Sequence, residues 1–280
     1  MSIHSPTVRR MTVPQFAARK RGEKIAMLTA YTTPMARNMD GHVDAILVGD
    51  SLGMVVYGMD DTLGVTLDMM INHGRAVVRG SKQSMVIVDM PFNSYHESAA
   101  QAMRNAGRVL AETGAQAVKL EGGAEMADTI AFLEARGVPV LAHIGLMPQH
   151  KNRMGGFTAQ GRTDAGADRI FSDALAVARA GAFGIVIEGV AESLGRRITD
   201  AVDIPTIGIG ASPACDGQIL VGEDVLGMFD DYKPRFVKRY AAVNETIVQA
   251  VQAYVGDVRS GAFPAPEHCF GSTVQTPAHK

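Results

Sequence analysis

The chain has 280 residues, with 27 Lys plus Arg against 29 Asp plus Glu, a net charge of −2 with histidine neutral. That balance supplies no basic field for nucleic acid or an anionic membrane, and 46% hydrophobic with 20% charged residues excludes a mainly disordered chain. Two cysteines, Cys215 and Cys269, are too few for a disulfide framework and point to a reducing, cytoplasmic compartment.

In chain order, the first predicted element is a helix near Val13–Arg21, opened by Thr12 with Pro14 in its first turn and placed to cover the base of the fold. Short apolar runs then recur at Ile25–Ala30, Ala45–Gly49, Met85–Val88, Ala117–Leu120, Val140–Ile144, Gly184–Ile187, Pro205–Ile209 and Gln218–Val221. Most are rich in Val and Ile and lack polar alternation, as strands buried on both faces of a parallel sheet do. Between them, 99–113, 126–136 and 167–180 carry apolar residues at helical spacing. The Met-rich stretch 54–70 reads as gap-filling core. A last long helix is expected over Phe236–Val255, closing the ring.

Thirty glycines exceed ordinary usage. Gly114, Gly137 and Gly181 follow helices, where a left-handed residue ends the last turn. Gly114 leads after seven residues to Glu121, and Gly181 after seven to Glu188, an internal echo of repeating βα units. Eight strands alternating with helices predict an α/β fold, a single-domain (β/α)₈ TIM barrel over residues 1–270, with 271–280 a flexible C-terminal tail. An open doubly wound sheet is the alternative, because strands seven and eight, within 205–221, lie too close for a full helix between them.

Asp50, Asp89, Glu121 and Glu188 end apolar runs, and His143 lies near the end of the fifth. In a parallel barrel these ends share the face that builds active sites. Lys119 and Glu121, two apart, point to the same side of one strand. A lone Asp at a strand end is ordinarily a turn former or helix cap. Converging carboxylates instead repel unless they share a cation or proton, and oxygen ligands suit Mg²⁺. His143 reads equally as a satisfied core histidine or a substrate contact. Gly208-Ile209-Gly210 reads as tight packing at the mouth, and Cys215 as a buried inert thiol. The glycine-rich loop 145–166, with Arg153 and Arg162, reads as a lid over an anionic substrate or as a plain surface loop.

Several blocks together resemble ketopantoate hydroxymethyltransferase. They are Val48–Val56, Asp89-Met90-Pro91-Phe92, Val118–Gly123, His143–Gln149, Gln160-Gly161-Arg162, Ile207–Ala211, Cys215–Gln218 and Pro234–Tyr240, in order along about residues 12–270. The resemblance implies a (β/α)₈ barrel that moves a hydroxymethyl group from 5,10-methylenetetrahydrofolate to 3-methyl-2-oxobutanoate, giving 2-dehydropantoate in pantothenate biosynthesis. It implies Mg²⁺ on Asp50, Asp89 and Glu121, keto acid contacts from Asp50, Ser51, Asp89 and Lys119, a pocket role for His143, and Glu188 as proton acceptor. It also implies small-molecule substrates alone, without nucleic acid or membrane, and a cytoplasmic homo-oligomer, often a decamer. Thr32, Met59, Gly64 and Ser212-Pro213 depart from the family's usual pattern. A 2-oxo acid lyase or phosphonomutase on a related barrel is the rival enzyme, but its Lys-x-Cys-Gly-His loop is absent from this sequence.

Overall fold

The computed structural model describes residues 9–229 and 233–271. Eight parallel strands close into a barrel in sequence order: β1 Ile25–Thr29, β2 Ala45–Val48, β3 Met85–Asp89, β4 Ala117–Glu121, β5 Val140–Gly145, β6 Gly184–Glu188, β7 Thr206–Ile209 and β8 Gly217–Leu220. The ring closes where β8 pairs with β1, Ile25 opposite Gly217 and Met27 opposite Ile219. The helices are α1 Val13–Ala17, α2 Thr33–Met39, α3 Leu52–Val55, α4 Leu67–Gly80, α5 Ala99–Thr113, α6 Ala127–Glu134, α7 Lys151–Met154, α8 Asp164–Arg179, α9 Glu192–Ala201, α10 Gly222–Leu226 and α11 Val243–Ser260.

The chain separates into two compact units. One holds the described residues through Gly222 together with Pro234–Val237. The other holds those from Glu223 onward apart from that segment. All eight strands lie in the first unit. Strand pairing, not the last helix, closes the ring. That helix begins at Val243 rather than Phe236, because Phe236 packs its ring on Gly210 and the Tyr240 N–H is taken by the Val225 carbonyl. Apart from Gly271, the tail expected over 271–280 lies outside the described residues.

Two cores follow from strand periodicity. Ile25, Met27, Leu47, Met85, Ile87, Ala117, Leu141, Val186, Ile207 and Ile219 fill the barrel interior. Their alternates, such as Ile46, Val86, Val88, Val118, Leu120, Ala142 and Ile185, pack outward under the helices. The helix before β1 is shorter than expected, yet Phe16 on it is fully buried against the interior cluster, edge-on to Phe183 with ring centroids 5.5 Å apart. At the same end, Asp216 accepts from Lys20 Nζ, Arg21 N and Thr206 N, each at 2.9 Å, tying the chain ahead of β1 to β7.

Helices α2, α4 and α9 fall where the sequence reading marked none. In α4 the reason is visible: a Cβ on Gly74 would meet Thr113 Cγ2 at 2.8 Å, and one on Gly80 would meet the Thr33 carbonyl oxygen at 2.5 Å. Close packing on α5 and α2 therefore selects glycines, whose helix propensity is about 1 kcal/mol below alanine. Of the Met-rich stretch, Met70 is buried and Met59 packs on the core, but Met54 is exposed. The loop from β7 to β8 carries no helix. Gly208 and Cys215 pack tightly there, and Thr199 Oγ1 donates to the buried Cys215 Sγ at 3.7 Å.

The burial of Phe16 makes a stability prediction. Phe16→Ala removes a fully buried ring and is expected to cost about 3–5 kcal/mol. The check is the shift of the urea unfolding midpoint, with the unfolding slope unchanged.

Candidate active site

The interior core ends abruptly toward the C-terminal face of the barrel. Two residues beyond Ile87 comes Asp89, beyond Ala117 comes Lys119 and then Glu121, beyond Leu141 comes His143, and beyond Val186 comes Glu188. Strand periodicity alone thus turns an apolar floor into a charged layer. Neighbouring strands align it: Asp89 is opposite Lys119, and Glu121 is opposite His143. Asp50 follows β2, its backbone N–H donating to Asp89 Oδ2 at 3.0 Å. The structure therefore brings Asp50, Asp89, Lys119, Glu121, His143 and Glu188 together. All but Glu188 are buried.

The contacts form a chain across the mouth. Lys119 Nζ lies 2.9 Å from Asp89 Oδ1, as an ion pair without hydrogen-bond alignment. His143 places Nδ1 3.4 Å from Glu121 Oε1 and Nε2 3.2 Å from Glu188 Oε2. The Glu188 side chain is 16% exposed, against 1–5% for the side chains of Asp89, Lys119, Glu121 and His143. Ser51 stands beside this layer, its Oγ 2.8 Å from Tyr31 OH. A Cβ on Gly49 would lie 2.8 Å from Ser51 Oγ and 3.6 Å from Asp89 Oδ2, so the glycine leaves a hollow between the two.

Burial and crowding set the charge states. Burial, then the charges of Asp89 and Glu121, push the Asp50 carboxyl up to about 8. Burial also raises Asp89, against the pull of Lys119. Burial opposes ionisation of Glu121, but His143, Lys119 and the Gln149 N–H outweigh it and hold the carboxyl below its ordinary value. Burial and Lys119 oppose protonation of His143, yet Glu121 and Glu188 prevail and raise it to about 9.

Two residues here had not been singled out as site residues. Gln149 is buried: its Nε2 donates to Asp50 Oδ2 at 2.8 Å, its Oε1 accepts from Tyr95 OH at 2.7 Å, and its backbone N–H donates to Glu121 Oε2 at 3.0 Å. Tyr95 OH also accepts from the Glu121 N–H at 3.0 Å. Only the motif around Pro148-Gln149 hinted at this, since a loop glutamine looks alike whether buried or exposed. The loop after β5 delivers Gln149, while Arg153 and Arg162 on it are exposed and make no contact with the charged layer. Arg153 lines a cavity of about 340 Å³ with His150 and Asp173.

Among the described residues, no three His, Cys, Asp or Glu side chains form a ready-made metal cage. Lys119 engages Asp89, and Gln149 takes one oxygen each of Asp50 and Glu121. The donor set nevertheless fits a hard cation. Asp89 Oδ1 and Glu121 Oε1 are buried without aligned hydrogen-bond partners, and burial, followed by the charges of Asp89 and Glu121, pushes the Asp50 carboxyl up to about 8. Mg²⁺ binds through one or two carboxylates and fills the rest of its octahedron with water and substrate oxygens.

Comparison with known proteins gives the family and the fold. A family model described as ketopantoate hydroxymethyltransferase matches residues 10–266. A 3-methyl-2-oxobutanoate hydroxymethyltransferase from Bordetella petrii is 62% identical over 271 residues, covering 97% of this chain and 98% of that protein. One of the same name from Agrobacterium fabrum is 56% identical over 280 residues and covers both chains fully. Among solved structures, a phosphonopyruvate hydrolase (TM-score 0.60, 14% identity, 94% of this chain and 92% of that one) and a 2,3-dimethylmalate lyase (0.55, 17%, 91% and 87%) share the barrel. At such identities the likeness concerns the fold alone. Over nearly its whole length, the chain belongs to the ketopantoate hydroxymethyltransferase family of enzymes.

Proposed function

We propose that the chain transfers a hydroxymethyl group from 5,10-methylenetetrahydrofolate to 3-methyl-2-oxobutanoate, consuming one water and releasing tetrahydrofolate and 2-dehydropantoate. The observation that carries this reading is the position of Glu188. Its Oε2 rests on His143 at 3.2 Å, its side chain is partly open, and its Oε1 has no protein partner among the described residues. The consumed water hydrolyses both C–N bonds of the folate's methylene bridge, releasing tetrahydrofolate and leaving the carbon as formaldehyde. Glu188 Oε1 takes the C3 proton of the keto acid, the electron pair left behind forms the new bond to that carbon, and its oxygen takes up a proton to become the hydroxyl. His143, raised to about 9, places its charge beside the other oxygen at 3.2 Å and leaves Oε1 as the one to take the proton.

Asp50, Asp89 and Glu121 are the residues that would hold Mg²⁺. When bound, the ion supplies Lewis-acid withdrawal of charge from the keto acid's carbonyl. Lys119 offsets carboxylate charge from within the layer, and it and Ser51 offer donors to the substrate carboxylate. A phosphonopyruvate hydrolase that shares the barrel fold is described as a complex with oxalate and Mg²⁺, which supports this reading. The reading includes a cytoplasmic homo-oligomer acting in pantothenate biosynthesis, with the first compact unit as its catalytic body.

Two outcomes are expected. Glu188→Gln slows exchange of the keto acid's C3 proton with solvent by about 10²–10⁴-fold, measured by proton NMR without folate. Exchange at the wild-type rate would remove Glu188 from the role of base. Asp50, pushed up to about 8, carries a proton at neutral pH that an entering cation must expel. Apparent Mg²⁺ affinity therefore rises with pH, by up to about tenfold per unit below roughly pH 8, and levels off above it. Titration calorimetry in two buffers of different ionisation enthalpy counts the released proton, and a pH-independent affinity would contradict the assignment of Asp50.

A further inference from the structure

We infer that Gln149 is the positioning residue of the carboxylate layer, one side chain and its own backbone N–H together aiming the free oxygens of Asp50 and Glu121 at a divalent cation. The inference rests on the metal reading proposed above and goes beyond it, because Gln149 touches neither substrate nor metal in that reading. Its amide Nε2 sits between two acceptors, Asp50 Oδ2 at 2.8 Å and the Met90 carbonyl oxygen at 2.9 Å. Its backbone N–H holds Glu121 Oε2 at 3.0 Å. Each carboxylate is thus pinned by one oxygen, and the other oxygen, Asp50 Oδ1 or Glu121 Oε1, is left to the layer. Glu121 Oε1 is buried without an aligned hydrogen-bond partner.

The orientation of the amide is fixed from both ends. An NH₂ group has two donors and no acceptor, and the Met90 carbonyl can only accept, so it admits only that end whether or not Asp50 carries a proton. The other end, Oε1, accepts from Tyr95 OH at 2.7 Å. Tyr95 has a single hydroxyl proton within reach of two acceptors, Gln149 Oε1 at 2.7 Å and the Glu121 carbonyl oxygen at 3.2 Å, and the shorter contact is the one to Gln149, while its oxygen accepts from the Glu121 N–H at 3.0 Å. Tyr95 is 1% exposed and Gln149 3%, so water does not compete for these groups. The link spans 99 positions, joining the loop after β5 to the end of β2. Such outer partners of a metal's ligands are worth about 10–100-fold in affinity.

The test uses Mn²⁺ as a paramagnetic probe, titrated into the full-length enzyme by EPR without substrate. Gln149→Leu keeps the volume and the backbone N–H but removes the amide. Its Mn²⁺ dissociation constant is expected to rise by about 10–100-fold. The metal concentration for half-maximal turnover should rise by the same factor, while kcat falls less. Tyr95→Phe, which loses only the hydroxyl that orients the amide, should show a smaller loss in the same direction. Unchanged Mn²⁺ affinity in folded Gln149→Leu overturns the inference while leaving the metal reading intact. Should Gln149→Leu fail to fold, unchanged affinity in Tyr95→Phe overturns it equally. A wild-type enzyme that binds no Mn²⁺ overturns the metal reading and this inference with it.

Discussion

Three carboxylates buried at one end of a barrel repel one another, and the rest of the site is arranged around that repulsion. Taking an ion out of water costs several kcal/mol even after relaxation, and like charges nearby add to it. The layer answers in two ways. Lys119 brings a permanent positive charge to Asp89 from the adjacent strand, and Asp50 keeps a proton up to about pH 8. Neither answer is complete, because a proton on Asp50 is a weaker counter-charge than a divalent ion. A hard cation, as proposed above, would relieve the repulsion that remains.

The barrel makes this state affordable. The charged residues sit on the same inward series as Met85, Ile87, Ala117, Leu141 and Val186, so the strands that carry them are anchored by a packed floor. Phe16 closes the opposite end. Register then does the aiming, since Asp89 meets Lys119 and Glu121 meets His143 simply by being opposite across parallel ladders.

The legible part of this architecture was the part written in short-range pattern. Eight apolar runs and the Gly114–Glu121 and Gly181–Glu188 echoes announce βα units, and the strand ends announce the charged layer. Helix α4 was hidden because its glycines answer to contacts with Thr33 and Thr113, which lie far away in sequence. Gln149 and Tyr95 were hidden for the same reason. A glutamine and a tyrosine in loops have ordinary surface chemistry until the fold carries them to Asp50 and Glu121. The departures at Thr32, Met59 and Ser212 become local packing matters. Thr32 caps α2 through the Met35 N–H, Met59 Sδ lies 3.3 Å from where a Cβ would stand on Gly53, and Ser212 Oγ donates to Glu192.

The division of labour between Glu121 and Glu188 turns on His143. The two glutamates share one imidazole, Glu121 on Nδ1 and Glu188 on Nε2. Neither contact is an aligned hydrogen bond; the charge of the imidazole helps hold the Glu121 carboxyl below its ordinary value, and Lys119 Nζ also lies 3.4 Å from Nδ1. Glu121, further pinned by the Gln149 N–H, is committed to the interior. Glu188 has no second side-chain partner among the described residues, and its side chain is 16% exposed. A carboxylate meant to hold a cation needs fixed geometry, and one meant to take a proton needs a free lone pair. On the reading proposed above, one histidine would serve both needs, because the two glutamates differ in what else restrains them.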